Sequence, residues 1–221
     1  MLHYPPTKHL TPSYTLGEEV AHSLLHGLGT ALSIAGLSVL VSLAALKADP
    51  WRIVSFSIYG ATLVILYLVS TLYHGLRSPQ AKHVFHILDH AAIYILIAGT
   101  YTPFTLVNLR GGWGWSLFGV IWGLALLGII FKIFFFGRLK LVSLAIYISL
   151  GWLVLIALKP MFTHIPLGGI IWLLSGGLAY TFGIIFYVYK KIPYHHAIWH
   201  LFVMAGSICH FFAVLFYVLP M

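Results

Sequence analysis

The sequence predicts an all-α integral membrane protein, a single seven-helix bundle over residues 1–221, and three observations lead to this fold class. Apolar residues make up 61% of the chain, and charged residues only 7%. A soluble domain carries about 25% charged residues. Seven apolar stretches of about 20 residues are each long enough to cross the hydrocarbon core of a bilayer as a helix. The chain is therefore predicted to be a multi-pass membrane protein.

The predicted membrane segments are separated by short connections. They run approximately over Ser23–Leu46, Ile53–Leu76, Phe85–Leu109, Trp113–Phe136, Leu139–Leu158, Gly168–Tyr189 and His196–Leu219. The division between the fourth and fifth segments is the least marked, since only Gly137, Arg138 and Lys140 interrupt the apolar pattern. Pro103 lies inside the third segment and is predicted to kink it. Residues 1–19 are predicted to form a short N-terminal tail, and a cleavable signal is not expected.

Basic residues are divided unequally between the two predicted membrane faces. The side of the N-terminus holds Lys8, Arg77, Lys82, Lys132, Arg138, Lys140, Lys190 and Lys191. The opposite side holds Lys47, Arg52, Arg110 and Lys159. Cytoplasmic loops carry the excess of Lys and Arg, so the N-terminus is predicted in the cytoplasm and the C-terminus outside. Topology and attraction to anionic headgroups explain the net charge of +8 without nucleic acid as a partner.

Polar residues concentrate at the predicted cytoplasmic ends of the second, third and seventh segments. They are Ser70, His74, Asp89, His90, His196 and His200. Residues four apart share one face of a helix, so His196 and His200 are placed to reach one ion. His74 would complete three imidazoles, a ligand set typical of catalytic zinc. The spacing alone leaves two alternatives, a metal site and histidines that lie at the surface.

Two neighbours at the same depth complete the predicted site. Asp89 is placed to hydrogen-bond a metal-bound water, and Ser70 to support His74 or that water one turn deeper. Because no glutamate lies between His196 and His200, unlike in the H-E-x-x-H zinc proteases, Asp89 is the expected general base. A closed structural site would need a fourth ligand. The histidines available for that position are His195, His90 and His22.

Three other features are assigned ordinary roles. The stripe Glu18, His22 and His26 is interpreted as a solvated helix start, with a proton relay as the alternative. His210 lies ~15 Å deeper than His200 along the helix and is predicted to be a buried, hydrogen-bonded histidine. The lone cysteine, Cys209, excludes a disulfide within the chain and a multi-cysteine zinc motif.

Several motifs, taken together, resemble a known family. They are Ser70-Thr-Leu-Tyr-His74, Asp89-His90, His196-Ala-Ile-Trp-His200, Glu18-Glu-Val-Ala-His22 and Ala98-Gly-Thr-Tyr-Thr-Pro103. On these motifs the chain resembles the progestin and adipoQ receptor family, in its hemolysin III (TrhA) branch. The resemblance implies Zn²⁺ held by His74, His196 and His200 near the cytoplasmic face, with Asp89 and Ser70 in water-holding and supporting positions. It also implies a bacterial plasma membrane location and a relation to membrane hydrolases that include alkaline ceramidases.

The predicted function is zinc-dependent hydrolysis of an amide or ester bond in a membrane lipid. One alternative is a non-enzymatic protein of membrane-energy homeostasis or sensing, in which zinc staples helices. Another is a cytolytic or gated conduit protein. Few ionisable residues lie in the outer halves of the first, second and seventh segments, which argues against a continuous polar path. Membrane lipid is the expected substrate or ligand, and a homo-oligomer is left open.

Overall fold

The computed structural model describes residues 14–136 and 138–220, which are mostly helical. The helices are α1 (Leu16–Leu46), α2 (Pro50–Gly75), α3 (Pro79–Pro103), α4 (Gly112–Phe134), α5 (Lys140–Gly151), α6 (Leu158–His164), α7 (Leu167–Val188) and α8 (His195–Tyr217). Helices α5 and α6 form one span through a 3₁₀ turn, Leu153–Ala157. Among the described residues, seven spans are long and apolar enough to cross a membrane, which confirms the predicted fold class.

The first helix begins earlier than hydropathy predicts, because its start is set by polar groups. Thr15 and Glu18 form a capping box, in which each side chain accepts a hydrogen bond from the backbone N–H of the other residue. Helix α1 therefore starts at Leu16, inside the predicted tail of residues 1–19. The part of that tail before Tyr14 lies outside the described residues.

The hydrogen-bond pattern of the third span changes at Pro103, where the sequence predicts a kink. Regular α-helix ends at Pro103, and Phe104–Asn108 continues as a π-helical turn. Proline lacks the N–H that the helical ladder needs, and its ring clashes with the preceding turn. The span nevertheless continues to Asn108, at the end that lies away from Asp89 and His90.

Helix α1 is polar on the side that faces the protein and apolar on the side that faces outward. Leu24 and Leu28 are exposed by 69% and 52%, as expected of side chains that meet lipid. On the opposite side His22 and His26 are buried, and Gly29 allows the ring of Tyr67 to approach the backbone closely. This polarity shows that the histidines of α1 belong to the interior.

The packing of the helices brings three helix ends to one place. Helix α1 packs against both α2 and α8, while α2 packs against α3 and α7 against α8. Side chains such as Leu40, Phe56 and Val214 are fully buried in the core that these helices share. Because α1 and α8 begin where α2 ends, their terminal turns meet at one end of the bundle. The cytoplasmic orientation of this end stays a prediction.

Candidate metal centre

Three histidines from three helices converge at that end of the bundle. His22 lies in the second turn of α1, His74 at the end of α2 and His200 near the start of α8. One ring nitrogen from each lies within 4.8 Å of the others. All three side chains are buried, with exposures of 0%, 3% and 3%. The arrangement can hold a metal ion.

The spacing of two of these nitrogens matches the geometry of zinc. Nε2 of His74 lies 3.3 Å from Nε2 of His200. Two imidazoles bound to a tetrahedral zinc at 2.0–2.1 Å have their nitrogens about 3.3 Å apart. Without an ion, two imidazole nitrogens at this distance need a proton between them. The pair therefore either forms a hydrogen bond or supplies two ligands of a metal site.

His196 and His26 enlarge the cluster. The ring of His196 lies 4.4 Å from that of His200 and 5.5 Å from that of His74, between centroids. The ring of His26 lies 3.7 Å from that of His200. The three predicted ligands His74, His196 and His200 are therefore neighbours. The donor set within 4.8 Å, however, contains His22 where the prediction has His196.

A carboxylate that the sequence reasoning did not assign orients His74. Oε2 of Glu19 accepts a hydrogen bond from Nδ1 of His74 at 2.7 Å, and Oε1 of Glu19 accepts one from Nζ of Lys82 at 2.6 Å. With its proton on Nδ1, the His74 ring presents the lone pair of Nε2 toward His200. Carboxylate–histidine pairs of this kind fix the tautomer and raise the basicity of metal-binding imidazoles.

Tyr14 covers the cluster at the end of the bundle. Its ring stacks on His196 with centroids 5.1 Å apart and meets His22 edge-on at 4.8 Å. Burial raises the pKa of the Tyr14 phenol, and repulsion by Glu19 and Asp89 raises it further. The phenol thus stays neutral and adds no charge to the site.

The two predicted supporting residues lie close to the cluster but outside the donor set. Asp89 lines the same cavity as His196 and His200, and its Oδ2 lies 3.8 Å from Nδ1 of His90. Ser70 lies one turn before His74 on α2. Its hydroxyl is buried, and no hydrogen bond is formed with it in the described part of the chain.

The interpretation of the α1 stripe as a solvated helix start holds for Glu18 and is wrong for two of its members. Glu18 caps the helix, whereas His22 and His26 are buried among the other histidines. The prediction for His210 is confirmed, since its Nε2 lies 3.2 Å from the carbonyl oxygen of Leu173. Of the predicted candidates for a fourth ligand, only His22 belongs to the donor set.

The chemistry of the cluster fits a transition metal. Several buried ring nitrogens find no hydrogen-bond partner within residues 14–136 and 138–220; they are both nitrogens of His22 and of His26, and Nδ1 of His196 and of His200. A buried polar atom left unpaired is destabilising. Imidazole is a good ligand for zinc, copper, iron and nickel, so one ion would satisfy the nitrogens that face it.

A cavity of about 350 Å³ leads from the histidines into the bundle. Tyr14, Asp89, His196 and His200 form part of its polar wall. Its apolar wall includes Ile93, Leu96, Ile97, Leu144, Ile148 and Ile184. Cavities of this size accommodate part of a small amphipathic molecule.

Fold and site together define a multi-pass membrane protein with a histidine cluster at one end of its bundle. The family model described as Haemolysin-III related matches residues 14–211, and the chain belongs to this family. The predicted hemolysin III membership is thus confirmed.

Relatives extend over most of the chain. It is 49% identical to Hemolysin-3 of Bacillus cereus over 203 residues, which cover 92% of this chain and 93% of that protein. It is 49% identical to the Hemolysin-3 homolog of Bacillus subtilis (strain 168) over 204 residues, 92% and 96% of the two chains. The human Monocyte to macrophage differentiation factor is 30% identical over 206 residues, 90% and 84% of the two chains.

Proposed function

We propose that the chain is a zinc-dependent hydrolase that cleaves an amide or ester bond of a membrane lipid. The observation that carries the proposal is the shared cavity, because Asp89, His196 and His200 line it together with apolar side chains. A lipid chain in the apolar part would bring its headgroup linkage to the histidines. We further propose that the protein spans a bacterial plasma membrane and that this end of the bundle lies on the cytoplasmic side.

The proposed metal ligands are His74, His196 and His200. His74 and His200 have the nitrogen spacing of a zinc pair. His196 supports the third position because it lines the cavity, where substrate would meet the ion. Three protein ligands leave one position open, as catalysis requires. Bound zinc supplies a Lewis acid that activates water and polarises a carbonyl group at neutral pH.

Asp89 is the proposed general base. Its carboxylate would accept a proton from the attacking water and return it to the amine or alcohol that leaves. The chain contains only four acidic side chains, and Asp89 is the one that lines the cavity. Ser70 is proposed to support His74 from one turn deeper.

Asp89→Asn is expected to retain zinc and lose turnover. Positioned general bases contribute roughly 10²–10⁴-fold to rate, so the release of fatty acid should fall by at least about 100-fold. The measurement is fatty acid released from a ceramide and from phosphatidylglycerol in detergent micelles, with zinc determined on the same samples. Asp49→Asn is the matched control, since Asp49 caps α2 at the other end and asparagine caps well. Unchanged turnover in Asp89→Asn would contradict the role.

His22 favours a second candidate, a structural metal site without turnover. If His22 joins the three proposed ligands, four imidazoles close the coordination sphere and staple α1, α2 and α8 together. The protein would then act in membrane homeostasis. Wild-type protein that holds zinc and releases no fatty acid from either lipid would favour this candidate over the hydrolase.

A further inference from the structure

Lys132 is a buried cation that forms no ion pair in the described part of the chain. It lies in the last turns of α4, its exposure is 5%, and it lines the cavity described above. Ion pairs among the described residues do not include it. A buried ammonium group without a counter-ion is destabilising. A bound anion beside Lys132 would therefore stabilise the charged ammonium group.

The protein has no carboxylate that forms an ion pair with Lys132. Its acidic side chains are Glu18, Glu19, Asp49 and Asp89. The first binds Thr15, the second binds His74 and Lys82, and the third binds Arg52. Oδ2 of Asp89 lies 3.8 Å from Nδ1 of His90, and Asp89 attracts Lys132 electrostatically without forming an ion pair with it. An anion in direct contact with Lys132 must therefore come from outside the chain.

The surroundings of Lys132 are basic and aromatic. Its Nζ lies 5.4 Å from the centre of the Phe136 ring, which favours the charged ammonium. The rings of His86 and His90 meet Phe136 edge-on at 4.8 and 5.8 Å. Lys140, at the start of α5, lines the same cavity and is exposed at its rim. Lys132, Lys140, His86 and His90 thus line one part of the same cavity.

The cavity combines these cationic side chains with an apolar interior. Ile97, Leu144 and Ile148 belong to its wall, one or more helical turns from the lysines. An ammonium group binds phosphate as a point charge. Lys190 also lines the cavity, so its lysines outnumber its one carboxylate, Asp89, and the surplus positive charge attracts a phosphodiester anion.

We propose that this cavity binds a lipid with a phosphodiester headgroup, whose phosphate contacts Lys132 and Lys140 and whose acyl chain fills the apolar interior. This proposal rests on the proposed function, because the lipid site and the hydrolase site share one cavity. A bound phosphodiester lipid would identify the substrate class of that enzyme. Phosphodiesters are the common anions of a bilayer, and the apolar wall distinguishes a lipid from free phosphate.

The test is native mass spectrometry of the full chain in non-ionic detergent, titrated separately with phosphatidylglycerol, diacylglycerol, oleate and inorganic phosphate. Phosphatidylglycerol should bind tightest to wild type, and Lys132→Gln should weaken it by about 5- to 10-fold. Lys132→Arg should restore binding. Lys47→Gln removes the same charge at the opposite end and should bind as wild type.

Three results would overturn the lipid site. They are equal phosphatidylglycerol affinity in Lys132→Gln and Lys47→Gln, equal affinity of wild type for oleate, and Lys132-dependent binding of inorganic phosphate without lipid. His74→Ala separates this site from the metal centre, because His74 is a proposed zinc ligand and does not line the cavity. That variant should keep the lipid while it loses zinc, so a failed hydrolase assay leaves the lipid result intact.

Discussion

His200→Ala is expected to reduce bound zinc from about one per chain to a small fraction. Its Nε2 lies 3.3 Å from Nε2 of His74, so alanine removes one of the two closest donors. Loss of a residue that only orients a ligand costs roughly 10- to 100-fold in metal affinity, and loss of a ligand should cost more. The measurement is zinc per chain by mass spectrometry after dialysis against a weak chelator.

His164→Ala is the matched control for that experiment. His164 is an exposed histidine at the end of α6, away from the cluster, and its substitution should leave the zinc content unchanged. Both variants need the thermal transition of wild type in the presence of zinc, which shows that the bundle is folded. Zinc retained in folded His200→Ala would contradict the assignment of His200.

Glu19→Gln is expected to weaken zinc binding by roughly 10- to 100-fold while the fold is retained. Glutamine keeps the shape of the side chain but removes the charge that His74 and Lys82 share. The His74 ring then loses the carboxylate that holds its proton on Nδ1, and Lys82 loses its counter-ion. Competition with a chromogenic chelator measures the affinity.

Glu18→Gln is the matched control for Glu19→Gln, because the two glutamates lie in the same turn of α1. Glu18 accepts its hydrogen bonds from Thr15 at the surface, and glutamine also suits a capping box. Its zinc affinity should stay within a few-fold of wild type. If the two glutamate variants bind zinc equally, Glu19 has no role in orienting His74.

The fold was predictable because its causes are local to each segment. Stretches of apolar residues longer than the bilayer is thick fix the number of spans. The start of α1 was placed too late, at Ser23 instead of Leu16, because hydropathy does not register the polar first turns that a capping box stabilises. The Thr15–Glu18 spacing is the sequence feature that would have found it.

The site was predictable in part. Helical spacing and topology brought His74, His196 and His200 to one end, and the structure makes them neighbours. The same spacing grouped Glu18 with His22, whereas Glu19 is the residue that turns inward. Once Glu18 is assigned to the capping box, Glu19 is the carboxylate left for the inner face. Spacing alone does not show which face of α1 meets its neighbours.

The burial of Lys132 was beyond the reach of the sequence. In the sequence it counts only as one of the basic residues that orient the chain. Its burial depends on how the end of α4 packs beside α3 and α5, and spacing along the chain does not determine that packing.

The proposed function depends on one metal ion bound by His74 of α2 and by His196 and His200 of α8. X-ray absorption at the zinc edge of purified wild type tests it most directly, because the scattering of imidazole rings counts the bound histidines. The expected spectrum has nitrogen or oxygen donors at about 2.0–2.1 Å and at least three imidazoles. A protein without tightly bound metal, or with fewer than three imidazoles on its zinc, would overturn this ligand assignment.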